Sequence, residues 1–420
     1  MFKEIAGNIM TICNYIECTG CAACRDICPK QCITMQPDEL DALYPYVDEH
    51  KCVNCGLCVK TCPNNRNIEY RKPQKVWVAW SNDASVRKNS ASGGIAYELY
   101  RYWLCQGGVA VGVVYERDKG CHFVIIEKED DLKQVQNSKY TFSDTDGVYK
   151  VLKEKLQAET PVLFIGMPCQ VAGFYGFLKK DYSNLVTVDI ICHGMSPTSY
   201  LQQHIESIEM KKKQHTSKLF FRDPKYHTYT YAFTLYNLAD KEFYNRRVLT
   251  TDNYQLGYHR ALIYRENCYH CRYAQKERIA DLTIGDFSGL GKYADFSKSK
   301  HNVSCVFQNT DRGADLLGKL ETKIYKEERP EAEAFEVEQQ LKAPSIKHPR
   351  RIVFENVYRE ERNYEKAADA ALSREKYNAL KLRIVIEMKA IIRLLLPKRF
   401  MQIARSVPVS YTHLTLPTKA

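Results

Sequence analysis

The chain has 420 residues, too many for one ordinary core and enough for two or three domains. Its 45% hydrophobic and 26% charged residues, with a mean hydropathy of −0.44, exclude a disordered, collagen-like or integral membrane protein. A net charge of +11 suggests nucleic acid, an anionic membrane surface or acidic ligands, but the 17 cysteines decide more.

The N-terminal residues carry no apolar signal segment, so secretion is not expected. Clustered cysteines in a long chain of this kind are expected to bind metal or work in redox chemistry rather than form a disulfide framework. Cys18-x2-Cys21-x2-Cys24-x3-Cys28-Pro29 recurs as Cys52-x2-Cys55-x2-Cys58-x3-Cys62-Pro63. This is the bacterial ferredoxin run in duplicate. Three cysteines at short spacing wrap one face of a cubane, and the fourth reaches the other cluster. The expected ligands are Cys18, Cys21, Cys24 and Cys62 for one [4Fe–4S] cluster, and Cys52, Cys55, Cys58 and Cys28 for the second. Gly20 and Gly56 allow close backbone approach. Two zinc sites are the competing reading, but paired C-x2-C arms need neither a third close cysteine nor a crossing fourth. Cys13 and Cys32 fall outside the pattern and read as ordinary buried thiols.

Residues 1–70 form the expected dicluster domain, and 71–75 read as a linker. An α/β domain is expected over 76–320. Strands are read at 76–80, 109–115, 122–126, 162–165 and 186–191, and helices at 95–104, 148–156, 171–179 and 200–210. Short apolar runs alternating with helices predict a mainly parallel sheet. Residues 218–249 read as an aromatic-rich antiparallel insertion, 281–285 and 303–308 as returning strands, and 321–375 as a helical extension. Cys169 and Cys192 each follow the carboxyl end of a predicted strand, where open α/β sheets place ligands. With Cys268-x2-Cys271 they make one complete four-thiolate set; equally, they are structural thiols beside an isolated pair.

The succession Asn89-Ser-Ala-Ser92-Gly93-Gly94, Gly166-Met-Pro-Cys169-Gln170, Cys192-His193-Gly194, Cys268-x2-Cys271-Arg-Tyr273 and Ala280-Asp281-Leu-Thr-Ile-Gly285-Asp286-Phe287 resembles a known family. It is similar to the coenzyme F-420 hydrogenase/dehydrogenase beta subunit, in the form carrying an N-terminal ferredoxin domain. The resemblance implies FAD and a third [4Fe–4S] cluster, on Cys169, Cys192, Cys268 and Cys271. Relatives include pigment reductases and proteins of polysaccharide gene clusters. Ser288 stands where such sequences often place Trp.

From the residues alone, Ser92, Gly93 and Gly94 open a helix whose N–H groups suit a pyrophosphate, or simply cap it. Lys139 is a candidate for neutralising a flavin charge, or a solvated lysine. His193 and Asp286 are candidate acid/base groups, or loop and turn residues. No G-x-G-x-x-G follows a strand, which disfavours NAD(P). Two functions fit. One is an iron–sulfur flavoenzyme taking electrons from a ferredoxin-like carrier to reduce a small organic substrate. The other is an electron-transfer subunit of a larger hydrogenase or dehydrogenase. A zinc scaffold is a third, non-redox reading.

Residues 376–405 carry eight basic side chains against Glu387, with apolar residues between. They read as a basic amphipathic helix, packed on the protein or resting on an anionic membrane. Residues 409–420 resemble translated adapter sequence and are set aside. Residues 1–70 hold six basic and nine acidic side chains, and an oxidised cluster with four thiolates carries about −2. The basic balance therefore reads as an acidic redox module and a basic tail, in a cytoplasmic protein with no nucleic-acid partner.

Overall fold

Val162-Leu-Phe-Ile-Gly166 and Leu185-Val-Thr-Val-Asp-Ile190 are short runs that are each buried almost throughout. Strands buried on both faces need helices on both sides, and that requirement organises the molecule. The computed structural model describes residues 12–247 and 251–395, with side chains described through 381. In chain order the strands are β1 (Ile33–Pro37), β2 (Leu43–Val47), β3 (Lys75–Ser81), β4 (Val109–Glu116), β5 (Gly120–Ile126), β6 (Val162–Gly166) and β7 (Leu185–Ile190). Then come β8 (Lys218–Phe220), β9 (Phe233–Tyr236), β10 (Glu242–Arg246), β11 (Leu282–Asp286), β12 (Ser304–Gln308) and β13 (Ile324–Glu328).

The central sheet has the order β13-β3-β12-β11-β7-β6-β4-β5. Its core, β4-β6-β7-β11, is parallel. The flanks are antiparallel: β5 on β4 at one side, and β12, β3 and β13 in succession at the other. The sheet is thus mixed, not mainly parallel. Sequence periodicity reports burial and not partner direction, so it does not separate the two cases. Alternate residues of the core strands feed two apolar layers. One lies under the helices Val148–Gln157 and Pro168–Leu178, the other under Ile95–Cys105 and Asp311–Lys319.

The expected antiparallel insertion is the three-stranded sheet β10-β9-β8. Its middle strand starts only at Phe233, because His227 and Tyr231 have positive φ (63° and 51°) and make turns before it. The predicted helical extension contributes β13 to the sheet edge before its helices begin. The predicted linker is stitched down: Arg71 exchanges backbone hydrogen bonds with Arg278 at 2.7 and 2.9 Å.

The described residues divide into two units, one through Leu372 and a second from Ser373. The helix Tyr364–Leu395 carries the backbone of the predicted basic segment up to 395. The side chains from 382 onward, residues 396–405 and the 409–420 tail lie outside the described residues. Among the described residues no helix is long and apolar enough to cross a membrane.

A buried ionic clasp ties three helices of the first unit. His204 bonds Asp252 at 3.0 Å and Glu365 at 2.5 Å. Burial alone would lower the His204 pKa, but the Asp252 charge and the two hydrogen bonds lift it to about 10. Burial would raise Asp252, and His204 brings it down to about 2. The histidine's contribution is complete below its unfolded value of 6.5 and is lost as pH rises toward 10. The aspartate's is complete above 3.8 and is lost as pH falls toward 2. Replacing His204 by Leu should cost about 3–5 kcal/mol, because it strands a buried carboxylate. Thermal unfolding between pH 6.5 and 10 should then show a falling Tm in the wild type and a flatter curve in the variant.

Candidate metal centres

The duplicated cysteine run is a duplicated backbone. In the first copy Gly20 (φ 70°) and Ala22 (φ 59°) flank Cys21; in the second, Asn54 (φ 52°) and Gly56 (φ 70°) flank Cys55. Left-handed residues on both sides of the middle cysteine curl each loop around a common centre, and only glycine adopts them without strain. A short helix follows each loop, Ala23–Ile27 and Leu57–Thr61, with Cys28 and Cys62 as their C-caps. Pro29 and Pro63 come next and cannot continue a helix.

The structure gathers the predicted first set: Cys18, Cys21, Cys24 and Cys62 line one cavity, with Cys13 beside them. The second set lies nearer the surface, with Cys55 exposed and Cys52 and Cys58 half-buried. Cys13 and Cys32 are not isolated core thiols. Cys13 is within hydrogen-bond reach of Cys18 and Cys62, and the Cys32 sulfur is 3.3 Å from that of Cys28.

The scattered third set also converges. Cys169, Cys192, Cys268 and Cys271 line a single cavity with His193, Tyr273 and Arg278. Cys169 opens the helix after β6, Cys192 lies two residues past β7, and Cys268 and Cys271 come from the turn Glu266–His270 and its end. Since β6 and β7 are parallel neighbours, the first two thiols reach the same sheet edge. Burial, and then repulsion from neighbouring thiolates, raises Cys169, Cys192 and Cys268, the last to about 12. Such a set ionises fully only when a cationic group shares it. The Tyr273 hydroxyl, buried at the same place, has no partner among the described residues.

The first and third sets adjoin. Cys21 packs in the same apolar layer as the helix Pro168–Leu178. A Cβ on Gly173 of that helix would stand 2.8 Å from the Cys21 sulfur. Arg265 lies at the same seam. It donates to the Cys18 carbonyl (3.2 Å), the Leu43 carbonyl (2.9 Å) and Asn267 (3.2 Å), and its charge is felt at both Cys18 and Cys268. Arg278, ion-paired to Asp189 at 2.8 Å, is a second buried cation at the third set. Neither arginine has a spacing signature, so sequence reasoning passes over both.

The predicted flavin cradle is committed elsewhere. The Gly93 N–H donates to the Ser304 hydroxyl at 2.9 Å, and Ser92 bonds the same hydroxyl at 2.9 Å. A Cβ on Gly93 would meet the Ala79 carbonyl at 2.3 Å, so the glycine serves packing against β3. Gly94 is the left-handed N-cap (φ 86°) of Ile95–Cys105. The buried Lys139 ammonium donates to the carbonyls of Gln134, Gln136 and Asn137. Ser92, Gly93 and Lys139 thus direct their donors to protein acceptors and do not fit a pyrophosphate. His193 is exposed, 3.8 Å from Glu338. Asp286 pairs with Arg222 at 2.6 Å and accepts from Tyr231 at 2.8 Å. Rings of Tyr140, Tyr231, Tyr258 and His259 pack around this pair. Burial, then the nearby positive groups, pulls His259 down to about 3. The Tyr258 hydroxyl donates to the Gly194 carbonyl at 3.0 Å, joining this group to the Cys192 loop.

Residues 17–66 match the 4Fe-4S dicluster domain family. Residues 76–150 match the N-terminal part, and 160–334 the C-terminal part, of the coenzyme F420 hydrogenase/dehydrogenase beta subunit. A coenzyme F420-dependent sulfite reductase of Methanocaldococcus jannaschii is 26% identical over 159 residues, covering 37% of this chain and 24% of that protein. The chain thus spans about a quarter of that relative's length. An uncharacterised ferredoxin of the same organism is 40% identical over 60 residues, covering 14% of this chain and 77% of its own. Among solved structures, a chain of the F420-reducing [NiFe] hydrogenase complex from Methanosarcina barkeri aligns with a TM-score of 0.40 at 18% identity, over 73% of this chain and 94% of that one.

The seam can be tested by overpacking. Gly173→Ala should destabilise the protein by about 1–3 kcal/mol in urea unfolding. Gly318→Ala, whose added methyl meets nothing within 4 Å, should leave the midpoint unchanged or slightly higher.

Proposed function

From a chain that belongs to the coenzyme F420 hydrogenase/dehydrogenase beta-subunit family and carries a 4Fe-4S dicluster domain, we propose an iron–sulfur electron-transfer subunit with three four-thiolate sites. The observation that carries this reading is the convergence of Cys169, Cys192, Cys268 and Cys271 on one cavity beside the Cys21 turn. When bound, [4Fe–4S] clusters at these sites supply one-electron redox chemistry between the surface and the sheet edge.

The residues of the chain provide the rest. Cys52, Cys55 and Cys58 lie closest to solvent, where a ferredoxin-like carrier or a partner subunit would dock. Cys18, Cys21, Cys24 and Cys62 are buried between that face and the third set. Arg265 holds positive charge at the junction of two thiolate-rich sites, where it offsets mutual repulsion. Among the described residues no three Cys, His, Asp or Glu side chains gather as one metal ion requires. Four thiols spread around a cavity suit a cubane, with one thiolate to each iron, better than a lone zinc.

A second reading keeps the chain as an enzyme that reduces a small organic substrate with bound FAD. The Arg222, Tyr231 and Asp286 group, set among aromatic rings next to the Cys192 loop, favours it. The residues expected to cradle the FAD phosphates are, however, engaged within the protein.

Anaerobic purification with iron, sulfide and flavin quantified together tests both. About twelve iron per chain is expected, falling to about eight in Cys271→Ser. Eight in the wild type, unchanged in that variant, would remove the third site. Co-purification of a partner subunit supports the first reading. Flavin in the isolated chain, with turnover on reduced ferredoxin, would replace it with the second.

A further inference from the structure

Two cysteines remain outside all three ligand sets yet lie against them. Cys13 is 7% exposed and lines the cavity of Cys18, Cys21, Cys24 and Cys62. It reaches Cys18, the first ligand of its run, and Cys62, the ligand that crosses from the other run. The Asn64 amide approaches its sulfur at 3.9 Å while donating to the Glu17 carbonyl. Cys32 is 4% exposed, with its sulfur 3.3 Å from Cys28 and within reach of Cys52. Cys52 is the first ligand of the second run, and Cys28 the ligand that crosses to it. The two extra thiols therefore occupy equivalent places: each touches the first and the crossing ligand of one site. They reach them from unrelated positions, Cys13 before the first run and Cys32 between the two. The duplication of the runs does not generate this match.

The ligand sulfurs already receive backbone donors. Cys62 accepts from the Asn64 and Asn65 N–H groups, and Cys28 from Lys30, Gln31 and Cys32. A thiol placed beside them adds a side-chain donor to the same sulfur. Hydrogen bonds to ligand sulfur disperse negative charge and favour the more negative, reduced state of a cluster.

Building on the reading of residues 17–66 as a dicluster module, we propose that Cys13 and Cys32 are S–H donors to the ligand sulfurs, one per site, which raise the reduction potentials of the two ferredoxin clusters independently. Neither is itself a ligand. Each sets the potential of the site it touches, so the gap between the two potentials depends on both.

The test is a potentiometric titration of the full chain followed by electron paramagnetic resonance, with iron counted in parallel. Cys13→Ala should lower only the potential of the first site, and Cys32→Ala only that of the second. The expected size is about tenfold in the reduction equilibrium, about 59 mV for a one-electron couple. Signals of the third site stay in place as an internal control. Cys13→Ser and Cys32→Ser keep a donor and should recover part of the shift, which separates hydrogen bonding from packing. Unchanged potentials in both alanine variants would overturn the proposal. So would loss of about four iron on Cys13→Ala, which would make that residue a ligand. A wild-type chain without iron would undo the dicluster reading itself, a different failure.

Discussion

The arrangement depends on a buried guanidinium that bonds no carboxylate among the described residues. Arg265 is held by two backbone carbonyls and Asn267, with the rings of Tyr44 and Phe142 packed against it. A buried cation is tolerated only where negative charge is near. Here that charge comes from the Tyr44 hydroxyl, from Cys18 and Cys268, and from the nearby Asp38 carboxylate. Its side chain spans the junction of the cysteine-rich N-terminal region with the α/β sheet, so one group joins the architecture to the redox chemistry. The close approaches around it follow: the Gly20 backbone lies against the guanidinium, and Gly173 against Cys21.

What was legible in the sequence was local. The eight ferredoxin cysteines announce themselves because a cubane fixes ligand spacing along a few residues. The third set was half legible. Strand ends placed Cys169 and Cys192 at one edge, but only the sheet order brings Cys268 and Cys271 to meet them. The antiparallel direction of β3, β5 and β12 is not legible, since apolar runs say how deeply a strand is buried and not which way its neighbour runs. Ser92-Gly93-Gly94 illustrates a limit of motifs: the small residues are required, but by contact with β3 and Ser304. Cys13 and Cys32 read as core thiols because they fall outside the ligand spacing, although each lies beside ligands in space.

Polar chemistry in the α/β part is concentrated past the carboxyl ends of β6, β7 and β11. Cys169, Cys192 and Asp286 stand there, on three neighbouring parallel strands. The antiparallel insertion sends Arg222 and Tyr231 to Asp286, and the left-handed backbone at Tyr231 is what turns its ring that way. The edge thus joins a thiolate-rich cavity to a charged aromatic one through the short Cys192-His193-Gly194 segment.

The Gly176 contact carries a kinetic consequence. Any side chain there would strike the Thr61 carbonyl at 2.2 Å, and Arg66 donates to the Gly176 carbonyl at 3.1 Å. A ferredoxin-type segment welded in this way cannot swing out on a tether to search for its donor. Internal separations stay fixed, so any external carrier has to come to the segment where it stands. Residues 1–70 carry nine acidic side chains against six basic ones. Encounter with a charged carrier is therefore governed by ionic strength, because salt screens long-range steering beyond about 10 Å while leaving the buried thiolates and Arg265 largely untouched.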